Sequence, residues 1–176
     1  MVSQLRYTTF GTKMGWLGIL GSAKGLLAIT LPQHSSEQAI KLLALGSKQA
    51  IWSPEHFDDL TARLRGYLDG DKVAFTDKLD LSAATQFQRQ VWQTTRLIPY
   101  GETRSYQWLA QALGRPEAAR AVGQALARNR LPIIIPCHRV VGSDGKLGGY
   151  SGGVEMKRYL LNLEASTSNK KGSNLY

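Results

Sequence analysis

The chain is poor in cysteine and has no long hydrophobic run. Its 176 residues include one cysteine, Cys137, and no apolar stretch approaches the roughly 20 residues that a membrane-spanning helix needs. A lone thiol cannot form an intramolecular disulfide, and without a Cys/His cluster there is no pattern for structural zinc. The first residues also lack the basic and hydrophobic blocks of a signal peptide, so we expect a cytoplasmic protein.

Acidic residues are scarce in the second half of the chain. Residues 1–80 carry 9 Lys and Arg against 8 Asp and Glu, whereas residues 81–176 carry 13 against 5, so most of the formal net charge of +9 lies in the second half. A local excess of this size is typical of a nucleic-acid-binding surface. A solvated face that promotes solubility has the same composition, and charge alone does not separate the two.

The first eighty residues predict an α/β domain. Short β-prone runs interrupted by glycines fill residues 5–32 and indicate a small antiparallel sheet. Two amphipathic helices follow, of which the first begins at Ser35 and stops at Gly46. The composition changes at the sequence DLSAAT, so we expect one domain over residues 1–82 and a second over residues 83–165.

The second domain is predicted to be mostly helical. A helix closed by Pro99 is followed by two short helices separated by Gly114, and the second of these is rich in small residues and arginine. This spacing indicates a helix-turn-helix motif, which coincides with the basic half and favours DNA binding. A helical hairpin without a ligand has the same pattern. Residues 166–176 are polar and are expected to form a flexible tail.

Cys137 lies in the sequence IIIPCHRVVG, next to His138. The β-branched run before the cysteine predicts a rigid, buried and extended approach, and burial raises the pKa of a thiol. A nucleophilic thiol then needs a base. His138 is one candidate, and Glu164 at the end of the last helix is a carboxylate that could orient its imidazole. The alternative is structural, with a small buried cysteine beside a satisfied core histidine.

A set of motifs occurs in order between Phe87 and Glu164: IPYGETRSYQWLA, AARAVG, PCHRV, GYSGG and the final helix. Together they resemble the O6-alkylguanine-DNA alkyltransferase family, also called the methylated-DNA–protein-cysteine methyltransferases. The resemblance implies a ribonuclease-H-like first domain and a winged-helix-like second domain that contains the helix-turn-helix. It also implies direct-reversal DNA repair without cofactor or metal. Cys137 would irreversibly accept the alkyl group of O6-alkylguanine, and of O4-alkylthymine, once per molecule.

The resemblance assigns roles to the residues around the thiol. His138 is the base that acts through a water molecule, and Glu164 orients it. Tyr106 donates a proton to the guanine, and Asn129 supports the active-site segment. The residues expected to bind the substrate are Val140 through its carbonyl, Tyr150, Ser151 through its amide, and Lys157.

Duplex DNA is the partner that the resemblance implies. Because a buried thiol cannot reach a base inside a duplex, the alkylated nucleotide has to be flipped out. Arg120 matches the arginine that family members insert through the minor groove to fill the space left by the flipped nucleotide. We expect a monomer, with or without cooperativity on DNA, associated with the nucleoid of a prokaryote. The residues expected to contact DNA are Arg120, Ala119, Ala121, Gly123 and Arg139.

Two other functions fit parts of the pattern. A damage-recognition module would bind O6-alkylguanine without reacting, but relatives that only bind replace the cysteine, and Cys137 is present. A hydrolase with a Cys/His/Glu relay is allowed by the spacing. It leaves the basic helix-turn-helix without a role.

Overall fold

The computed structural model describes residues 4–43 and 49–170, and the chain divides between Ala83 and Ala84. This division lies one residue from the boundary predicted between residues 82 and 83. The predicted helix stop at Gly46 and the last six residues of the predicted tail lie outside the described residues. No helix among the described residues is both long and apolar enough to cross a membrane.

A four-stranded mixed sheet forms the centre of the first unit. Strands β1 (Leu5–Thr12), β2 (Gly15–Ser22) and β3 (Gly25–Ile29) form an antiparallel meander, as the glycine-interrupted runs predicted. Strand β4 (Ala50–Trp52) pairs with the other edge of β1 in parallel. The predicted small antiparallel sheet is therefore confirmed for β1–β3, whereas β4 makes the whole sheet mixed. Between β3 and β4 the chain passes through helix α1 (Ser36–Leu43), and such a crossover is what a parallel strand requires.

The second helix of this unit contributes a stripe of apolar side chains to the core. A 3₁₀ turn over Pro54–Phe57 leads directly into helix α2 (Asp58–Leu68). The side chains of Phe57, Leu60 and Leu64 are buried. They recur at helical spacing on one face, so this helix packs on the core and leaves its charged residues in solvent.

The second unit is built on helices. Helix α3 (Gln86–Thr95) begins with a capping box, and the indole N–H of its Trp92 donates to the Ala125 carbonyl at 2.9 Å. Helices α4 (Tyr106–Ala112) and α5 (Ala119–Ala127) form the helix-turn-helix predicted from the sequence. The turn between them has Gly114 at φ 69°, a left-handed conformation that favours glycine.

The last helix, α6 (Val154–Lys170), is longer than the sequence suggested. Residues 166–170 were assigned to a flexible tail because they are polar, and that assignment is wrong because they continue the helix. The hydroxyl of Ser166 donates to the Asn162 carbonyl one turn earlier. A polar side chain at this position is therefore compatible with the helix, because its hydroxyl bonds to a carbonyl of the same helix.

Two very short strands position the start of α4. Strands β5 (Arg104–Ser105) and β6 (Val140–Val141) pair in parallel, with Arg104 opposite Val140. Helix α4 begins at the next residue, Tyr106, and β6 directly follows a 3₁₀ turn that contains Cys137. This pairing brings the first turn of α4 close to the segment that carries the thiol.

Candidate active site

The segment before Cys137 is buried but turned. Ile133 has a φ of 73°, and it is the one non-glycine residue with positive φ in the described part of the chain. The Ile135 N–H donates to the Leu131 carbonyl at 2.8 Å, which closes the turn. The predicted extended approach is therefore wrong. A run of β-branched residues favours a strand, but the hydrogen bonds of Asn129 override that preference here.

Asn129 holds both ends of this turn and contacts the thiol. Its Oδ1 accepts the Leu131 N–H at 2.8 Å, and its Nδ2 donates to the Ile135 carbonyl at 3.0 Å. The same Nδ2 lies 3.2 Å from the Cys137 Sγ. Asn129 is buried and lies two residues after the end of α5, so one side chain links the helix-turn-helix to the cysteine.

Burial works against ionisation of the Cys137 thiol. Cys137 is 6% exposed, and removal from water raises the pKa of its thiol. The amide of Asn129 and the charge of Lys157 act in the opposite direction, since both favour the thiolate. The balance leaves a thiol that needs a base to become a nucleophile.

His138 and Glu164 form a buried pair. The Nε2 of His138 lies 2.7 Å from the Oε1 of Glu164, and neither side chain is more than 1% exposed. Burial lowers the pKa of His138, although the carboxylate partly offsets this effect. The imidazole is therefore neutral near pH 7 and can accept a proton. The contact with Glu164 fixes the orientation of the ring and favours the charged form after proton transfer.

Arg139 is buried against Glu164. It is 8% exposed, and its Nε and Nη2 both lie 3.0 Å from carboxylate oxygens of Glu164. Its Nη1 donates to the Ile98 carbonyl at 2.7 Å. The prediction that Arg139 contacts DNA is wrong, because the guanidinium is used to hold the carboxylate that orients His138.

Glu164 is held as an anion by several donors. Burial raises its pKa, but the hydrogen bonds from His138 and Arg139 outweigh this effect and lower the pKa to about 2. The Gly101 N–H donates to the second oxygen at 3.0 Å. The carboxylate therefore remains ionised throughout the physiological range, and its orientation is fixed by donors from two separate segments of the chain.

Lys157 is wholly buried and is bound to backbone carbonyls. Its Nζ donates to the Val140 carbonyl at 2.6 Å and to the carbonyls of Leu147 and, at 3.5 Å, Gly149. It also lies 3.4 Å from the Tyr106 hydroxyl. Burial lowers the pKa of Lys157 to about 8, so most molecules still carry the ammonium at pH 7. The structure thus gives Lys157 a role in holding the loop over residues 147–149.

Replacement of Lys157 should release the loop over residues 147–149 from the buried ammonium that holds it. We expect Lys157→Met to lower the free energy of unfolding by about 2–4 kcal/mol, because at least two buried carbonyls lose their donor. The control is Lys146→Met, which changes an exposed lysine in the neighbouring loop and should cost less than about 0.5 kcal/mol. Urea unfolding of both variants measures the difference. Equal effects would show that the buried ammonium does not hold the loop.

A cavity of about 600 Å³ opens beside the thiol. Helix α5 forms one wall, the loop over residues 148–151 forms another, and Tyr106 lies between them. The built position of a Cβ at Gly148, whose φ is 72°, is 2.7 Å from the Tyr106 hydroxyl, so only glycine lets the loop approach this closely. The predicted site residues that line the cavity are Tyr106, Ala119, Arg120, Gly123, Cys137, Tyr150 and Ser151.

Several predicted residues support the cavity from behind. Asn129 contacts the thiol, and Lys157 binds the loop and the Val140 carbonyl. His138 and Glu164 are paired with each other. Ala121 does not line the cavity.

Gln124 is a lining residue that the sequence reasoning missed. It lies one helical turn after Arg120 on the exposed face of α5, and that spacing on an amphipathic helix could have revealed it. The cavity therefore has a polar side chain at its edge besides the arginine.

Two tyrosines contribute polar groups to the cavity. Burial raises the pKa of Tyr106, and the nearby Cys137 adds to the effect. Burial and the same cysteine raise the pKa of Tyr150 well above its usual value. Both hydroxyls therefore keep their protons and are available as hydrogen-bond donors to a bound group.

Several known proteins are similar to this chain in sequence. Residues 86–166 match the family model described as 6-O-methylguanine DNA methyltransferase, DNA binding domain. The methylated-DNA–protein-cysteine methyltransferase of Mycolicibacterium paratuberculosis is 47% identical over 162 residues, 91% of this chain and 92% of that protein. The protein of the same name from Mycobacterium tuberculosis is 39% identical over 164 residues, 92% of this chain and 93% of its own.

A solved structure extends the likeness to the fold. The crystal structure of Mycobacterium tuberculosis OGT in complex with DNA superposes with a TM-score of 0.78 at 40% sequence identity. It covers 92% of this chain and 94% of that one. Because relatives well above 30% identity align along almost the whole length, both units are part of the match. The chain belongs to the methylated-DNA–protein-cysteine methyltransferase family.

Proposed function

We propose that this protein repairs DNA by transferring the alkyl group from O6 of guanine to Cys137. The observation that carries the proposal is the position of one buried thiol in a cavity whose wall is the second helix of a helix-turn-helix. Solved and curated relatives with the same activity in their names support it. The reaction needs no cofactor, because the thiol itself is the acceptor.

The first step is ionisation of the thiol. His138 takes the proton through a water molecule, and Glu164 stabilises the imidazolium that results. Because Arg139 and Gly101 keep Glu164 ionised, the pair is ready before the substrate arrives. The Asn129 amide, 3.2 Å from the sulfur, stabilises the thiolate.

The second step is displacement at the alkyl carbon. The Cys137 sulfur forms a bond to that carbon while the bond from the carbon to O6 breaks, and the electron pair passes to the guanine. Tyr106 donates a proton to the purine ring, and the Ser151 amide binds O6. The product is a thioether, which water does not hydrolyse, so each molecule acts once.

Access to the base requires nucleotide flipping. We propose that α5 enters the minor groove and that Arg120 fills the space left by the flipped base. The exposed position of Arg120 on the cavity wall, with Ala119 and Gly123 beside it, supports this role. O4-alkylthymine is a second substrate that the same cavity would admit.

Finer features of fold and location belong to the same proposal. We propose that the first unit is ribonuclease-H-like and that the second is winged-helix-like, since α4, α5 and the β5–β6 pair supply the corresponding elements. We also propose that the protein works in the cytoplasm as a monomer.

Transfer of a radioactive label tests the function directly. The protein is incubated with a duplex oligonucleotide that carries one O6-[methyl-³H]methylguanine. We expect one methyl group per protein molecule, found on the peptide that contains Cys137, and unmodified guanine in the DNA. Release of labelled methanol or formation of more than one product per protein molecule would contradict a single-use acceptor and favour a hydrolase.

The role of Arg120 has its own test. We expect Arg120→Ala to slow repair of duplex DNA by about 10- to 100-fold. Without the arginine, nothing occupies the gap that the flipped base leaves between its neighbouring bases, so the flipped state is less stable. Reaction with free O6-benzylguanine, which needs no flipping, should stay within about twofold of wild type. Arg128→Ala serves as the control, since Arg128 is exposed at the end of the same helix but does not line the cavity. Equal losses with both substrates would refute the role.

A further inference from the structure

A second concave surface lies in the first unit, and the alkyl transfer does not use it. It encloses about 420 Å³, and four basic side chains line it: Arg6, Lys24, His56 and Lys78. All four are exposed. They come from four separate segments, namely the start of β1, the β2–β3 turn, the 3₁₀ turn before α2 and the chain after that helix. A concavity assembled from four distant segments is a feature of the fold rather than of one basic run in the sequence.

The backbone beneath these side chains is fixed. Arg6 pairs with Gly21 in β2, and the Lys24 N–H donates to the Ser22 hydroxyl at 3.0 Å. The Lys78 carbonyl accepts the Leu26 N–H at 2.9 Å. Gly25 has a φ of 142°, and a Cβ built there would lie 2.4 Å from the Lys78 carbonyl oxygen. The close approach of these two segments therefore depends on that glycine.

The fourth group is also held in place. The His56 N–H donates to the Ser53 carbonyl at 3.2 Å, and its ring packs edge-to-face against Phe57 with centroids 4.9 Å apart. Phe57 belongs to the core, so the imidazole is supported from below. The backbone positions that carry the four basic side chains are thus fixed before any ligand arrives.

The positive charge of this concavity is largely uncompensated. Among the described residues, Arg6, Lys24 and Lys78 form no ion pair, whereas the neighbouring Arg63 is bound to Asp59 and Asp77. One carboxylate, Asp80, lies close enough for Lys24 to act on it, and it accepts a hydrogen bond from the Ser22 hydroxyl. Residues 1–80 as a whole carry 9 Lys and Arg against 8 Asp and Glu, so the excess of positive charge is local to this concavity. Asp59 and Asp77 lie in the adjoining pocket, which also includes His56 and Lys78, and both carboxylates are paired with Arg63. The concavity itself is lined by three cations and a histidine and by no carboxylate among the described residues, so it favours an anion.

We propose that this basic concavity binds the phosphodiester backbone of DNA, outside the stretch held by the helix-turn-helix. Two features favour DNA over a small anion. The concavity encloses about 420 Å³ and its four basic side chains are exposed, which suits successive phosphates along a strand, and DNA is already the partner of the protein. Lysine and arginine contacts of this kind fix position without reading sequence. The proposal takes from the proposed function only that DNA is the partner, and it does not depend on the chemistry at Cys137.

Salt-dependent binding of an undamaged duplex of about 30 base pairs tests the proposal. The concavity variant carries Arg6→Gln, Lys24→Gln and Lys78→Gln. The control variant carries Lys13→Gln, Lys41→Gln and Lys72→Gln, three exposed lysines of the same unit outside the concavity, so both variants lose the same formal charge. Dissociation constants are measured by fluorescence anisotropy between about 50 and 200 mM salt.

The two variants should differ clearly. Each phosphate contact contributes about 0.9 to the slope of log K against log salt, so we expect the concavity variant to lose about 2 to 3 from this slope and at least about tenfold in affinity at low salt. The control variant should keep the wild-type slope to within about 0.5. Equal slopes in the two variants would overturn the proposal, even if the wild-type protein binds DNA and repairs it.

Two further measurements distinguish a loss of DNA binding from damage to the second unit and from binding of a free anion. Reaction of both variants with free O6-benzylguanine should match wild type, which shows that the second unit is intact and that any loss lies in DNA binding. Titration with inorganic phosphate alone, followed by NMR of backbone amides, distinguishes the source of the anion. Saturable shifts at residues 22–25 and 78 with phosphate, combined with equal DNA slopes, would assign the site to a free anion and overturn the proposal.

Discussion

Cys137→Ser should abolish alkyl transfer while leaving the fold and DNA binding intact. A serine hydroxyl is a far weaker acid than a thiol, so His138 cannot generate the corresponding alkoxide, and we expect the rate to fall by at least about 10⁴-fold. The structure predicts little structural cost. Cys137 is buried against Asn129, whose Nδ2 can donate to a serine oxygen as it does to the sulfur.

The measurement follows loss of the labelled methyl group from duplex DNA under single-turnover conditions. Circular dichroism and affinity for undamaged duplex serve as controls, and both should match wild type. Label transfer that survives the substitution would place the acceptor elsewhere and remove the mechanism proposed here. Loss of DNA binding together with loss of alkyl transfer would show that Cys137 is needed for the folded structure rather than as the acceptor.

His138→Gln should slow the reaction by about 10²- to 10⁴-fold at pH 7, the usual contribution of a general base. Glutamine can still donate to Glu164, and Arg139 and Gly101 keep that carboxylate in place, so the buried charge stays compensated. The matched control is His34→Gln, which replaces an exposed histidine of the first unit and should leave the rate unchanged.

The pH profile separates a base from a structural residue. Burial lowers the pKa of His138, so the wild-type rate should fall with decreasing pH only below the ordinary histidine value of about 6.5. In the variant the thiol must ionise unaided. Because burial raises its pKa, the residual rate should climb with pH beyond about 8.5. A variant that is slower at every pH but keeps the wild-type profile would exclude His138 as the base.

The sequence predicted much of the second unit because its signals are local. Gly114 marks the turn between α4 and α5, and the small residues and arginine of AARAVG mark the second of these helices. The pairing of His138 with Glu164 was also expected, although 26 residues separate them, because the family resemblance relates the two positions. The types of residues and their order along the chain were therefore enough to predict the helix-turn-helix and the His138–Glu164 pair.

Other features depend on contacts that the order of residues does not reveal. Arg139 and Lys157 are charged residues, which are usually exposed, yet both are buried because each finds acceptors contributed by other segments. Strand β4 pairs with β1 in parallel, and a local sequence pattern does not specify which strand a short run such as AIW pairs with. A local pattern cannot distinguish these outcomes from a surface arginine, a surface lysine or a simple meander.

The left-handed conformation of Ile133 means that the resting protein carries strain next to its nucleophile. A β-branched residue in this region costs on the order of 1–3 kcal/mol, and it persists only where the surroundings impose it. Here the surroundings are the hydrogen bonds of Asn129 to Leu131 and Ile135. The same side chain contacts the sulfur. A group added to Cys137 would therefore press on the residue that keeps a strained turn closed, so the used form of the protein should be less stable than the form that has not yet reacted.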